Sequence, residues 1–532
     1  MRSFIEKELI VCMRKNIRRF IRSHLKTFFT VGFVIAIGVL VFEANAANYY
    51  ISPTGSDSNS GTIGSPWKTF GFAVPRLKPG DTLFLRDGTY DGSNSGFPNI
   101  NCGSNASNGT ASQPITIKAE NERRAYFHGT STNLFVLTNC SWYVVEGLRL
   151  SGPLNDQLTL ILWDHVTDST LRRNLFHDVN NTGANSHAFS AYAGNRLLLE
   201  ENECYNLTRH CLYLGLGGTN YSIVRRNYAN SRNYAQAYTV LATFYPGSNN
   251  TAENNIGENI ATPVDVQSGY AGSPAVNNKA LGNIGLNSGA TVVELCRQSS
   301  TGRPQNFVAR DNVNISNQTD GYGFTFRGGQ NIQFDNNTNY SSALFGVGLD
   351  NGEAALCTYS GVASLTGKNN LMLSSNVGFS TSQGTWSLQS SVAFGNTTNY
   401  SPSSSNSLYS NAMTTNPSLG SCKVFIPTGS PMKGAGVGGA DIGANILYRY
   451  ENGVLTNKPL WDLVTGEFPH GAIVAGVNDI AGSSLFDVHK RLNVNTNGCS
   501  FPAGYASGAT VTSSTVTKPS TPINLGVSQQ SK

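Results

Sequence analysis

LLLEENECYNL, residues 197–207, runs from three leucines into Asn202, and SIVRRNYANS, residues 222–231, runs from an apolar pair into Asn227. The same join of a short apolar run to an asparagine recurs at Asn174 in STLRRNLFHDV, Asn255 in TAENNIGENI, Asn283 in KALGNIGLN and Asn312 in FVARDNVNIS. IQFDNNTNYS continues the series with Asn336 or Asn337. The spacings are 28, 25, 28, 28, 29 and about 25 residues, which is a loose repeat.

A strand this short cannot bury its apolar face alone. Stacking such units in parallel, about 4.8 Å apart, buries a continuous core. The chain must turn between strands, and asparagine tolerates the left-handed conformation that sharp turns use. Stacked asparagine amides also hydrogen-bond along the column. A turn inside the stack keeps its form while outer loops vary, so the asparagine recurs and the spacing drifts. The pattern predicts an all-β chain, a right-handed parallel β-helix (solenoid) of about ten coils spanning residues 114–445. A β-propeller needs antiparallel blades with hairpins, where an asparagine column has no role, and the same holds for a β-sandwich.

Composition agrees with short strands and dense turns: 13% of residues are charged and 56 are glycine. The first 46 residues read as a secretory signal: a basic segment holding Arg14, Lys15, Arg18, Arg19, Arg22 and Lys26, an apolar run at 27–42, and Ala44-Asn45-Ala46 before Ala47. That leader carries 8 of the 37 basic and 3 of the 32 acidic residues, so the remainder is balanced and the formal charge of +5 belongs to the leader. No basic field is left to bind nucleic acid. No membrane association is expected after cleavage, and the chain reads as a monomer. Eight of the nine cysteines lie beyond the leader, without metal-finger spacing. In an exported chain they permit disulfides whose pairing the sequence leaves open.

A solenoid needs caps over its end coils. YYISPTGSDSNSGTIGSPWKTFGFAVPRLKPGDTLFLRDGTY, residues 49–90, resembles the amino-terminal segment of secreted right-handed parallel β-helix proteins of the pectate-lyase-like superfamily. In those proteins it supplies a capping helix, here PWKTFGFAVPRL with Pro75 making it short or kinked, and the first coil; GSPMKGAGVGGADIGAN, residues 429–445, resembles their closing coil. The resemblance implies a cap and first coil over 47–113. Residues 446–505 lack the repeat and read as an extension covering the end or flank of the solenoid, and 506–532, rich in Ser, Thr and Pro, as a disordered tail.

One strand per coil follows the asparagine turn: HAFSAY (187–192), HCLYLG (210–215), QAYTVL (236–241), TPVDVQ (262–267), TVVELC (291–296) and YGFTFR (322–327). Alternation turns the apolar set inward, including Phe189, Leu212, Tyr238, Val264, Val293 and Phe324. Three outward columns follow. The first reads Ser190, Tyr213, Thr239, Asp265, Glu294 and Thr325. The second reads Tyr192, Gly215, Leu241, Gln267, Cys296 and Arg327. The third, at strand starts, runs His187, His210, Gln236, Thr262, Thr291 and Tyr322.

Asp265 and Glu294 fall on adjacent rungs. Three readings stay open for them: Ca²⁺ binding through carboxylate oxygens, an acid and nucleophile pair, or a solvated pair held by Arg297 and Arg327. His187 and His210 either end strands at the surface or begin a groove wall, where a histidine can move protons. His177 and Asp178 fall in a loop, 177–187, that walls the cleft.

β-Elimination on a uronate needs a base for the C5 proton and a cation beside the carboxylate. His210 or Lys279 fits the first role, with Tyr213 sharing proton transfer; Arg327, Arg297 or Ca²⁺ fits the second. His187, Tyr192, Gln236 and Arg297 would bind substrate, the tyrosines by stacking on sugar faces. The expected function is an exported polysaccharide lyase acting on an acidic polysaccharide. The alternatives are a non-catalytic glycan-binding surface or matrix protein, and a glycoside hydrolase using the carboxylate pair. The resemblance carries no catalytic residues across, because the clustered aspartates of calcium-dependent pectate lyases, the Asp-Pro-His of alginate epimerases and the Gly-His-Gly of polygalacturonases are absent here.

Overall fold

The structure, a computed structural model, describes residues 46–479 apart from 130–132, 153–158, 180–185, 232–238, 270–271, 297–301, 316–320, 349–363, 381–384, 403–406, 421 and 462–467. The leader and the carboxy-terminal tail lie outside the described residues. Among those residues no helix is long and apolar enough to cross a membrane.

Three long parallel sheets of 14, 12 and 12 strands run the length of the molecule, and each coil contributes one strand to each sheet in turn. One coil, for example, passes through Thr170–Arg172 of the first sheet, Leu175–Val179 of the third and His187–Tyr192 of the second. The chain is thus the right-handed parallel β-helix that its repeat predicts. Its axial core is apolar along its length, with Leu171, Phe176, Phe189, Leu199, Leu212 and Val224 all fully buried. Full burial of such side chains stabilises by about 1.5–3 kcal/mol each.

The asparagine column occupies the corner between the first and third sheets and is hydrogen-bonded throughout. Nδ2 of Asn174 donates to Oδ1 of Asn202, and the chain continues through Asn227, Asn255, Asn283, Asn312, Asn337 and Asn370, at 2.9–3.2 Å per step. Asn337, not Asn336, holds the position in its coil. The left-handed conformation falls on the residue before each ladder asparagine: Arg173, Glu201, Arg226, Asn254, Gly282, Asp311, Asn336 and Asn369 all have φ between 52° and 63°. The asparagine is therefore selected for its amide, and its neighbour takes the strained turn.

The amino-terminal cap contains a one-turn helix, α1 (Phe70–Ala73), whose N-cap Thr69 accepts a hydrogen bond from the Phe72 amide. Pro75 sits inside the 3-10 turn Val74–Arg76 that follows, where its fixed φ is tolerated. Phe70, Ala73 and Leu77 close the end of the core.

Beyond residue 440 the chain turns back along the flank. Thr338 Oγ1 accepts from the Ala444 amide, Glu253 accepts from the amides of Asn452 and Gly453, and Arg123 Nη1 donates to the Ala472 carbonyl. The segment runs over the outer face of the third sheet and the adjoining end of the first toward the amino-terminal coils, with Leu447, Leu460, Trp461 and Phe468 packed on Leu175, Tyr228 and Ile256.

Candidate functional site

The second sheet carries the strands His187–Tyr192, His210–Gly215, Val240–Tyr245, Thr262–Gln267, Val293–Cys296 and Phe324–Arg327. Phe189 pairs with Leu212, Val264 with Val293 and Val293 with Phe324, and all five are fully buried. The third strand corrects the expected register. It is VLATFY (240–245), not QAYTVL (236–241), with Ala242 opposite Leu212 and Thr243 opposite Tyr213. A shift of four residues preserves the two-residue alternation, so face patterning alone cannot detect it. Thr243 and Tyr245 therefore stand where Thr239 and Leu241 were expected, and Val240 stands where Gln236 was. Gln236 itself lies outside the described residues, as does Arg297.

The outward column reads Ser190, Tyr213, Thr243, Asp265, Glu294 and Thr325. His187 and His210 join this face because two successive residues at each strand start, Ala188 with Phe189 and Cys211 with Leu212, both pack into the core. That break in alternation turns the preceding imidazole outward. The rings of His187, His210 and Tyr213 lie nearly parallel, with centroids 4.8 Å apart for the histidines and 4.6 and 5.0 Å from each to Tyr213. His210 and Tyr213 stack face to face and are not hydrogen-bonded to each other.

This face is shielded: His187, His210 and Tyr213 are 8%, 4% and 8% exposed and Asp265 only 2%. Burial, with Arg209 nearby, lowers the His187 pKa to about 3 and holds His210 well below its usual range, so both imidazoles are neutral. Burial and the neighbouring Glu294 raise Asp265 well above the ordinary carboxylate range, against the Gln267 amide, Arg327 and Arg209. Gln267 Nε2 donates to Asp265 Oδ2, and Arg327 Nη1 donates to Glu294 Oε1 at 3.0 Å. Several polar atoms here have no hydrogen-bond partner among the described residues: Nδ1 of His187 and His210, Oγ1 of Thr243 and Thr325, and Oδ1 of Asp265.

Lys279 is not brought to this face. It begins a strand of the first sheet, between Thr251 and Val308, and its side chain is exposed. His177 and Asp178 are not in a loop but in the strand Leu175–Val179 of the third sheet, where Arg149 Nε donates to His177 Nε2 at 2.9 Å and His177 Nδ1 meets Asp178 at 2.7 Å. Arg209 is the charged residue that sequence reasoning missed. It sits in the two-residue turn between the strands Glu203–Leu207 and His210–Gly215. Its position immediately before His210 was the available signal.

Calcium coordination draws on about six to eight oxygens. The described residues bring two carboxylates, Asp265 and Glu294, one already bonded to Arg327. Among those residues no group of three His, Cys, Asp or Glu is arranged to hold a metal. The described set does not fit a calcium cage.

Six described cysteines are in disulfides. Cys102 pairs with Cys140, and Cys204 with Cys211 directly beside His210.

Residues 49–212 match the family model described as Pel9A-like, right handed beta helix region. Pectate lyase PEL9 of Emericella nidulans is 40% identical over 74 residues, which is 14% of this chain and 16% of the relative. The match thus spans about one sixth of that relative's length. A mannuronic acid specific polysaccharide family 6 lyase from human gut microbiota superposes with a TM-score of 0.50 at 14% identity, covering 66% of this chain and 80% of its own. A PL6 family polysaccharide lyase from Pseudopedobacter saltans gives 0.48 at 14% identity, covering 65% and 91%. Residues 49–212, which include His187 and His210, are thus similar to a Pel9A-like right-handed β-helix region, and the coils that follow continue the same solenoid.

Proposed function

We propose that the chain is an exported polysaccharide lyase that binds an acidic polysaccharide along the outward face of the second sheet and cleaves it by β-elimination. The row of shielded polar atoms without partners carries this reading. Each such group left unpaired costs about 1–3 kcal/mol, a cost that a bound hydroxyl or carboxylate removes. The identity to a pectate lyase over 74 residues supports a uronate substrate. The leader's composition and the six disulfide-bonded cysteines support export.

In this mechanism the neutral His210 accepts the C5 proton of a uronate. The released electron pair forms the C4–C5 double bond, the C4–O bond breaks, and the leaving oxygen takes a proton from the Tyr213 hydroxyl. Arg327 and Arg209 stabilise the charge that builds on the uronate carboxylate. His210 is a weak base in the free protein, and an anionic substrate beside it raises its proton affinity. Asp265 and Gln267 hold sugar hydroxyls, and Tyr192 lies against a sugar face.

The deep shielding of His187 and His210 favours a second reading, a glycan-binding protein that uses the same face without turnover. Incubation with a panel of pectic, alginate and neutral polysaccharides separates the readings. Growth of the ultraviolet absorbance of an unsaturated sugar end supports the lyase. New reducing ends without that absorbance point to hydrolysis through Asp265 and Glu294, and binding with neither points to the glycan-binding protein.

A further inference from the structure

One column of the second sheet runs Thr138, Asp164, Tyr192, Gly215 and Tyr245, and Gly215 is its single gap. The backbone does not demand a glycine there, because Gly215 is not among the glycines with positive φ. Space demands it. A Cβ on Gly215 would lie 2.2 Å from Cε1, 2.3 Å from Cζ and 2.6 Å from the hydroxyl oxygen of Tyr213. The Tyr213 ring therefore lies down along its own strand into the gap that Gly215 leaves. It is flanked by Tyr192 and Tyr245 at 6.4 and 6.3 Å and braced behind by the imidazoles of His187 and His210.

We infer that Gly215 is a specificity-determining residue: by leaving room for the Tyr213 ring it builds a three-tyrosine seat for one pyranose unit of the polysaccharide. The inference rests on the proposed function for its ligand. Tyr192 and Tyr245 are half-buried, and the part of each side chain left exposed would meet the sugar. Tyr213 makes no hydrogen bond to a described side chain, and its hydroxyl projects over Gly215 between the other two rings, where a sugar hydroxyl or glycosidic oxygen would meet it. A side chain at position 215 would lift Tyr213 off the imidazoles and close the seat. Gly215 acts through Tyr213 and is a positioning residue.

The test is a double-mutant cycle in the full chain with Gly215→Ala, Tyr213→Ala and the double variant. Three quantities are read: the thermal midpoint without ligand, the near-ultraviolet circular dichroism of the tyrosines, and affinity for oligogalacturonate and oligomannuronate probes. Gly215→Ala alone is expected to lower the midpoint, change the tyrosine signal and weaken binding by roughly tenfold. In the Tyr213→Ala background, where the ring is gone, the same substitution should change none of the three. Full retention of affinity and signal in Gly215→Ala, or equal losses in both backgrounds, overturns the seat. If the unsubstituted protein binds neither probe, the proposed function fails for those sugars, while the midpoint and tyrosine signal still decide whether Gly215 positions Tyr213.

Discussion

Asp265 and Glu294 are register partners on adjacent rungs, and Arg327 on the next rung binds Glu294 at 3.0 Å. The guanidinium is what makes two shielded carboxylates tolerable side by side. Arg327→Gln should destabilise the fold at neutral pH, because it removes the cation that hydrogen-bonds Glu294 and attracts Asp265. Asp265 already has a raised pKa. Removing Arg327 raises it further, so the deficit should grow as pH rises above the unfolded value and shrink on acidification. Guanidinium unfolding at acid and neutral pH measures the difference. Equal losses at both values would mean that the substitution acts through packing alone.

Asn255 sits mid-ladder. Its Nδ2 donates to Asn283 Oδ1 and to the Val224 carbonyl, both at 2.9 Å, and its Oδ1 accepts from the Asn227 amide and side chain at 3.0 Å. Asn255→Ala strands these groups in the interior, each at about 1–3 kcal/mol. Asn396 lies outside the ladder, at the corner after the third-sheet strand Val392–Phe394, and is only partly buried. Asn396→Ala should therefore cost clearly less. Unfolding midpoints of the two variants compare a ladder asparagine with one outside it, and equal losses would argue against a special role for the column.

The ladder was legible because a repeated amide needs the same residue in every coil, and the faces of the second sheet were legible because the core admits only apolar side chains. The remainder depended on features that alternation does not encode. The four-residue shift at Val240–Tyr245 keeps parity and is silent in the pattern. The outward turn of His187 and His210 arises from a paired inward step at 188–189 and 211–212. Lys279 was expected in the turn before the Glu294 strand, just ahead of Asn283, whereas the coil puts it in a strand of another sheet. Arg209 entered through a two-residue turn too short to show a pattern.

His210→Gln keeps the shape of the site and removes its proton acceptor. If elimination proceeds as proposed, turnover should fall by roughly 10²–10⁴-fold with oligouronate affinity little changed. A fall in affinity with unchanged turnover per bound complex would reduce His210 to a binding contact. Steady-state kinetics on the uronate that the protein cleaves separates the two.

His187 gives a prediction about acid. Its folded pKa is about 3 against an ordinary histidine value of 6.5, so between these values the unfolded chain holds a proton that the folded chain refuses. Stability contributed by the neutral imidazole is present above 6.5 and is lost at up to about 1.4 kcal/mol per pH unit as pH falls below it. His187→Gln should flatten the acid limb of the stability profile, as read from urea midpoints at intervals between about pH 4 and 7. An unchanged limb would place the acid sensitivity elsewhere.

Asp311 works in the opposite direction and reports on the returning carboxy-terminal segment. It is shielded, and the Tyr450 hydroxyl donates to its Oδ2. Burial raises its pKa from 3.8 to about 6. Between those values the folded chain keeps a proton that the unfolded chain releases, so its contribution is full below 3.8 and fades as pH rises through 6. The ionised form costs about 3 kcal/mol at higher pH. Asp311→Asn retains an acceptor for Tyr450 without the charge. It should therefore raise the thermal midpoint at mildly alkaline pH and leave it nearly unchanged at acid pH. Limited proteolysis between Tyr450 and Asn478 provides a second readout: at alkaline pH the variant should resist cleavage longer than the unsubstituted protein. Greater susceptibility would mean that the negative charge itself helps to fasten the segment to the flank.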